Sequence, residues 1–167
     1  FHMEQEDYAS ALQLYDEQIL PGESEMSMQM LDASALLWRL HLQDVELGDR
    51  WTMIADLWSR KTPAENGYYA FNDLHAVIAL VGAGRLSEAR AILADLQKAA
   101  TDNPPLTAMM ARDVGVPAAQ AMIAFAEQRY DDVIDALYPI RSIANRFGGS
   151  NAQRDILTQT LIEAAIR

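Results

Sequence analysis

Large and small apolar residues recur with the same spacing in three segments, which align without gaps from Gln5, Ala83 and Glu127. Each segment opens with a polar turn. A large residue follows at position i, a small or β-branched residue at i+3 and a second large residue at i+7. The three sets are Tyr8, Ala11 and Tyr15; Leu86, Ala89 and Leu93; and Tyr130, Val133 and Leu137. These positions share one face of an α-helix, so the pattern predicts three equivalent helices. A weaker fourth copy has Gly48-Asp49-Arg50 in the turn and predicts Met53 and Leu57 on the inner face of a helix.

Further segments with helical periodicity lie between these copies. They predict helices over Met26–Leu42, Tyr68–Val81, Leu106–Val114, Pro117–Gln128 and from Ser150 to the C-terminus. Gly115-Val116-Pro117 is expected to end the third of these helices, and Pro117 to start the fourth, because proline suits the first turn of a helix. Ser150 and Gln153 fit a capping box, in which each side chain bonds the other residue's backbone N–H. The expected core positions are Phe71, Leu74, Ile78 and Val81 in one helix, and Ile156, Thr160 and Ala164 in the last.

No run of residues has the alternation of a β-strand, so the chain is predicted to be all-α. Paired helices with a small residue where they meet are typical of tetratricopeptide repeats, although these copies are longer than the usual unit of about 34 residues. We therefore expect a tetratricopeptide-like, right-handed helical solenoid of antiparallel helix pairs, formed as one domain over residues 1–167. The pattern from Phe1 to Glu4 is that of a helix interior. It predicts a C-terminal fragment of a longer chain, whose missing N-terminal part would be one of its partners.

Five sequence motifs carry a resemblance to a known family. They are Tyr15-Asp16-Glu17-Gln18-Ile19-Leu20-Pro21, Asp32-Ala33-Ser34-Ala35-Leu36-Leu37-Trp38-Arg39-Leu40, Gly48-Asp49-Arg50-Trp51, Ala70-Phe71-Asn72-Asp73-Leu74-His75-Ala76 and Phe147-Gly148-Gly149-Ser150-Asn151-Ala152-Gln153-Arg154-Asp155. They resemble the tetratricopeptide repeat protein 38 family, and the last two are the more specific because a generic repeat does not require them. The resemblance spans the chain and implies a C-terminal position in a longer helical-repeat protein, but no biochemical activity. Asn151 stands where the family often has histidine.

The charge balance excludes some classes of partner. The 167 residues include 24 acidic and 13 basic side chains, for a formal net charge of −11. Such a surface repels phosphate backbones and anionic lipids, so neither nucleic acid nor a membrane is an expected partner. A protein or peptide partner is expected, and charge complementarity favours a basic one. The chain has no cysteine, which excludes disulfides and is compatible with the cytoplasmic location that we expect.

Known enzyme motifs are missing from the sequence, and no catalytic residue, cofactor or metal site is predicted. The least generic cluster is Asn72, Asp73 and His75. A histidine close to a carboxylate suits a general base or a metal ligand. In the structural alternative, Asn72 or Asp73 caps the helix and His75 packs between helices.

The glycine-rich turn before the last helix is a second candidate. Gly149, Ser150, Arg154 and Asp155 are a possible anion or ligand site, with free N–H groups at the helix N-terminus and a bidentate contact from the arginine. In the structural alternative the glycines end one helix, Ser150 caps the next, and Arg154 pairs with an acidic residue of a neighbouring helix.

The expected function is an interaction scaffold. The first helix of each pair lines the concave face in arrays of this kind, so the candidate partner-binding residues are Trp38, Arg39, Asn72, Asp73, His75 and Gln120. Aromatic residues on such a face bind peptides, which is one interpretation of Trp38, Trp51 and Trp58. The alternative is that these three tryptophans belong to the core. The alternative function is a small-molecule or enzymatic site in which Asn72, Asp73 and His75 meet Arg154 and Asp155.

Overall fold

The computed structural model describes residues 2–22, 24, 26–60 and 65–167, and these ranges contain no β-strand. The prediction of an all-α protein is confirmed. The α-helices are α1 (Tyr8–Leu14), α2 (Ser27–Leu42), α3 (Arg50–Arg60), α4 (Ala70–Gly82), α5 (Leu86–Asp102), α6 (Pro105–Met110), α7 (Val116–Ala126), α8 (Tyr130–Leu137) and α9 (Asn151–Ile166). There are 3₁₀ turns at Met3–Gln5 and Ala144–Phe147 and π turns at Tyr15–Ile19 and Ala111–Gly115. Phe1, the first residue of the segment that was predicted to be a helix interior, lies outside the described residues.

All four aligned copies begin helices, because α1, α3, α5 and α8 start at residues 8, 50, 86 and 130. Arg50, which was expected in the turn, is the first residue of α3. The residue two positions before each start has a positive φ: Glu6 at 56°, Gly48 at 56°, Gly84 at 73° and Gln128 at 59°. Residues other than glycine rarely adopt this conformation. Its occurrence at four aligned positions is independent support for the repeat alignment.

Helices α2, α4 and α7 also end in the same way. In each, a backbone N–H beyond the helix bonds the carbonyl five residues earlier: Val45 to Leu40 at 3.1 Å, Arg85 to Leu80 at 2.8 Å and Arg129 to Ala124 at 2.9 Å. This bond closes the helix C-terminus and satisfies a carbonyl that has no partner within the helix. The turn that leads from each of these helices toward the next is therefore one repeated local structure.

Helix α4 is the centre of the packing, since it contacts α2, α3, α5 and α7. All of its residues from Ala70 to Val81 except Asn72 are buried. The predicted core positions on α4 and α9 are confirmed, because all seven are buried. On α4 the apolar residues extend around the whole helix, as expected for a helix with neighbours on every side. Helix α9 packs against α8 and returns to contact α2 and α7.

The expected break at Gly115-Val116-Pro117 is wrong. The helical backbone continues from α6 through the π turn into α7, and the Val116 N–H bonds the Ala111 carbonyl. A proline lacks the N–H that an α-helix needs and its ring collides with the preceding turn, and the wider π turn relieves both problems. Gly115 lets α4 approach, because a Cβ there would lie 2.7 Å from the Cβ of Ala70.

The inner face of α3 also differs from the prediction. Leu57 is buried as expected, but Met53 is 45% exposed. Trp51 and Trp58 are buried instead, which confirms the core interpretation of these indoles. An indole buries more apolar area than a methionine side chain, so the two tryptophans determine which face of α3 turns inward.

Candidate binding site

Trp38 was predicted to face a partner, and this prediction is wrong because α9 covers it. Its side chain is fully buried, and its Nε1–H donates to Oγ1 of Thr160 at 2.8 Å. The ring of Phe125 lies edge-on at 5.6 Å between centroids. The face that α2 would present to a ligand is therefore occupied by the protein's own last helix.

Arg39 joins the same two helices and is only partly accessible. Its guanidinium donates to the carbonyl of Ala35 at 3.0 Å and to the carbonyl of Ala152, at the start of α9. Burial lowers the pKa of Arg39. These contacts favour a structural role, in which Arg39 fastens α9 to α2.

His75 is also buried, so its predicted place on an accessible face is wrong. Its Nδ1–H donates to the carbonyl of Phe71 at 2.8 Å, which fixes the tautomer. Nε2 is buried and has no hydrogen-bond partner among the described residues. Burial lowers the pKa of His75 to about 4. The side chain is neutral at neutral pH and packs between helices, as the structural alternative proposed.

A cavity of ≈ 200 Å³ lies where α3 ends and α4 begins. Its lining includes two of the predicted residues, Asn72 and Asp73, from the first turn of α4. The other described lining residues are Trp58, Glu65, Asn66, Tyr68, Tyr69 and Ala76. We call this space the α3–α4 cavity.

Asp73 is the buried polar group of the α3–α4 cavity, with 4% of its surface exposed. Its Oδ2 accepts the backbone N–H of Gly67 at 3.0 Å, so it fastens the loop before α4 rather than the end of the helix. The expectation that Asn72 or Asp73 caps α4 is wrong, since the residue at the cap position is Tyr69. A carboxylate in this first turn is favoured by the dipole of the helix.

Gly67 has the conformation that this loop needs. Its φ is 78°, and a Cβ there would lie 3.1 Å from the backbone oxygen of Asp95. Its carbonyl accepts a hydrogen bond from Nδ2 of Asn103 at 2.7 Å. The loop that carries Glu65 and Tyr68 is thus held through both the N–H and the carbonyl of Gly67.

Aromatic rings form much of the rest of the α3–α4 cavity. Trp58 is 5% exposed and its Nε1–H donates to Oγ of Ser34 at 2.9 Å, which fixes the indole. Tyr68 is 73% exposed and Tyr69 is half-buried. Glu65 is exposed. Among the described lining residues, Trp58, Asp73 and Ala76 are buried, and Glu65 and Tyr68 are exposed.

Arg154 and Asp155 line a different cavity, of ≈ 360 Å³, between α9 and the segment that follows α8. Arg154 donates to the carbonyls of Gly148, at 3.0 Å, and of Gly149, and to Oδ1 of Asn151. The expected partner was an acidic side chain, but these bonds satisfy the carbonyls of the glycine turn instead. They favour a structural role for Arg154.

Ser150 caps α9 as predicted. Its Oγ accepts the N–H of Gln153 at 3.2 Å, and Oε1 of Gln153 accepts the N–H of Ser150 at 2.9 Å. Gly149 packs on α4, since a Cβ would lie 2.3 Å from the ring of Phe71. Neither Gly149 nor Ser150 is among the residues that line the neighbouring cavity. The anion site stays a prediction.

The predicted residues are therefore dispersed. Gln120 is exposed and lines a third cavity, of ≈ 490 Å³, between α5, α7 and α8. Asn72 and Asp73 share the α3–α4 cavity, and His75 lies in the core. The structure does not bring the five residues of the alternative small-molecule site around one cavity.

Glu65 and Tyr68 are the accessible residues that sequence reasoning missed. The available signal was a pair of tyrosines after a glycine, directly before the helix whose first turn contains Asn72 and Asp73. Within the described ranges, no group of three or more histidine, aspartate or glutamate side chains is placed to hold a metal ion.

No protein-family model matches the chain. No solved structure is significantly similar to it. Among the described helices, none has both the length and the apolar character needed to cross a bilayer.

Proposed function

We propose that the protein is a helical-repeat scaffold that binds a segment of a protein partner. The helices α2 and α3, α4 and α5, and α7 and α8 contact one another as consecutive pairs, and α4 lies between α2 and α7. Short connections between consecutive helices favour an antiparallel arrangement. This order supports a tetratricopeptide-like solenoid, and so do the four aligned turns with positive φ.

The observation that carries the proposal is the α3–α4 cavity. It combines a buried carboxylate with aromatic rings and an accessible rim, which is the composition of recognition pockets. The described lining residues contain neither histidine, serine nor lysine, so among them no serine or lysine nucleophile is paired with a histidine base. Binding therefore fits this site better than catalysis does. The partner contacts the start of α4 rather than the face of α2 that α9 covers.

Photo-crosslinking in the protein's own cells tests the proposal. A photoreactive phenylalanine replaces Tyr68, which is 73% exposed at the cavity, and Tyr138, which is 55% exposed and does not line it, is replaced in the control. We expect a protein cross-linked from position 68 and not from position 138. The purified partner should then bind the wild-type chain more tightly than Tyr68→Ala. Equal cross-linking from both positions, or an affinity that Tyr68→Ala leaves unchanged, would overturn the proposal.

A further inference from the structure

We infer that the cavity between α9 and the segment that follows α8 binds a small aliphatic carboxylate. We call this space of ≈ 360 Å³ the α8–α9 cavity, and its described lining comes from residues 137–145 and 151–161. It shares no described lining residue with the α3–α4 cavity, so the inference does not depend on the proposed scaffold function. It follows from two arginines that form no ion pair and from the buried apolar residues beside them.

Two arginines of the α8–α9 cavity differ from most arginines of this acidic chain. Arg141 and Arg154 line the cavity, and neither forms an ion pair with a carboxylate of the described residues. Most of the other described arginines do form such pairs: Arg50, Arg85, Arg90, Arg112, Arg129, Arg146 and Arg167. The chain has 24 acidic and 13 basic side chains, so carboxylates are in excess for pairing. Two unpaired guanidiniums at one cavity therefore favour an anionic ligand.

Bonds to uncharged groups hold both guanidiniums without neutralising them. Arg141 donates to the carbonyl of Tyr138, and its Cζ lies 3.6 Å from the centroid of the Tyr138 ring. Arg154 donates to two carbonyls of the glycine turn and to Oδ1 of Asn151. A guanidinium has five N–H donors, so each arginine keeps some of them for a ligand. One fixed guanidinium comes from each of the two elements that form the cavity.

The net charge of the described lining suits a monoanion. The one carboxylate among these residues is Asp155, which accepts a hydrogen bond from Nε2 of Gln159 and also interacts with the charge of Arg39. Two arginines and one aspartate give the described lining a formal charge of +1, while the whole chain carries −11. A phosphate group carries nearly two negative charges at neutral pH, so the acidic chain repels it more than it repels a carboxylate.

The apolar part of the lining selects an anion that carries an aliphatic stem. Leu137, Ile140 and Leu157 are buried, and Leu161 is half-buried. Methylene groups of a ligand that pack on such side chains leave water, and each one buried strengthens binding about fourfold. The volume of ≈ 360 Å³ lies within the range of small-molecule sites, which is about 300–1,000 Å³. A bare inorganic anion would leave this part of the lining unused.

Titration of the whole chain with hexanoate, followed by the backbone amide signals in NMR spectra, tests the inference. We expect saturable shifts of the signals of residues 137–161. Hexanol has the same stem without the charge, and hexylamine reverses the charge, so both should bind at least about threefold more weakly. Acetate has the charge without the stem and should bind at least about tenfold more weakly. Equal binding of acetate would indicate an adventitious anion only and would overturn the inference.

A variant with a matched control tests the arginine. Arg141→Gln removes an exposed charge of the cavity and should weaken hexanoate binding at least about threefold. Arg112→Gln changes an exposed arginine that does not line the cavity and should leave hexanoate binding unchanged. Equal affinities of the wild-type chain and Arg141→Gln would overturn the inference.

Two further probes test the class of ligand. Hexyl phosphate and an acetylated Gly-Gly-norleucine peptide with a free C-terminal carboxylate should bind no more tightly than hexanoate does. Tighter binding of either probe would overturn the assignment, because the site would then suit a phosphate or the end of a protein chain. The cross-linking from position 68 tests the scaffold proposal separately, so the two can fail independently.

Discussion

Lowering the pH from 7 to 5 should destabilise the protein through His75. The imidazole is fully buried, and its Nε2 has no hydrogen-bond partner in the described part of the chain. A proton added to Nε2 would therefore place an unpaired charge in the core, close enough to the Arg39 guanidinium for repulsion to add to the desolvation. The hydrogen bond to the Phe71 carbonyl opposes these effects but does not outweigh them, and the pKa falls from 6.5 to about 4.

The sign and size of the effect follow from proton linkage. Below pH 6.5 the unfolded chain takes up a proton on this histidine, while the folded chain does so only near pH 4. The stability associated with neutral His75 is thus present above pH 6.5, falls as the pH decreases and is lost below about pH 4. The two pKa values correspond to a loss of about 3 kcal/mol in total, of which about 2 kcal/mol falls between pH 7 and pH 5.

Urea unfolding followed by circular dichroism at pH 7, 6 and 5 measures the effect, with His75→Leu as the comparison. Leucine has a similar volume and does not titrate. Burial also lowers the pKa of His41, but that residue is present in both proteins and its contribution cancels. Between pH 7 and pH 5 the wild-type free energy of unfolding should fall by about 2 kcal/mol more than that of the variant. Parallel curves would refute the reasoning, whatever the absolute stability of the variant.

Three further predictions concern the turns and the last helix, and each is checked by urea unfolding at pH 7. Gly84→Ala should destabilise the protein by about 1 kcal/mol through its φ of 73° alone, because the added Cβ would meet open space. Gln128→Gly at the equivalent turn should stabilise the protein by a similar amount. Changes of the same sign in the two variants would contradict the equivalence of the turns. Gly149→Ala combines a φ of 74° with a Cβ placed 2.3 Å from an aromatic ring of α4, so it should lower the free energy of unfolding by about 2 kcal/mol more than Gly84→Ala does. Equal losses in the two variants would show that the turn moves to relieve the collision. Thr160→Val leaves a buried indole N–H without its acceptor and should lose about 1–3 kcal/mol, while a neutral effect would mean that α9 does not depend on this bond.

Local features of the fold could be predicted from the sequence. The starts of α1, α5 and α8 depend on turn chemistry and on periodicity over a few residues. The capping box of Ser150 and Gln153 depends on a spacing of three residues and is present. Such signals act within one or two helical turns, so a linear pattern contains them completely.

Features that depend on distant packing could not be predicted. Trp38 has the same apolar character whether it faces a groove or a neighbouring helix. Its burial depends on α9 and on the hydrogen bond to Thr160, which is 122 residues away. His75 was misplaced for the same reason. The break expected before Pro117 is absent because a π turn accommodates a residue that lacks a backbone N–H. No local propensity signals such a π turn.

Only part of the α3–α4 cavity was predicted from the sequence. Asn72 and Asp73 stood out because a polar pair at the start of an otherwise apolar helix is unusual. Glu65 and Tyr68 lie in the preceding loop, where polar and aromatic residues are ordinary, and their position at the cavity depends on how the loop folds over α3.

The return of α9 to α2 has a consequence for how the chain folds. In an open repeat array each unit contacts only its neighbours, so folding can begin anywhere and the ends can unfold independently. Here the bond between Trp38 and Thr160 and the ion pair between Arg167 and Asp44 join segments more than 120 residues apart. These contacts form only once the intervening helices are in place, which raises the contact order and slows the final step. Helices α2 and α9 should therefore unfold in one cooperative transition, and α9 should exchange its amide hydrogens as slowly as α2.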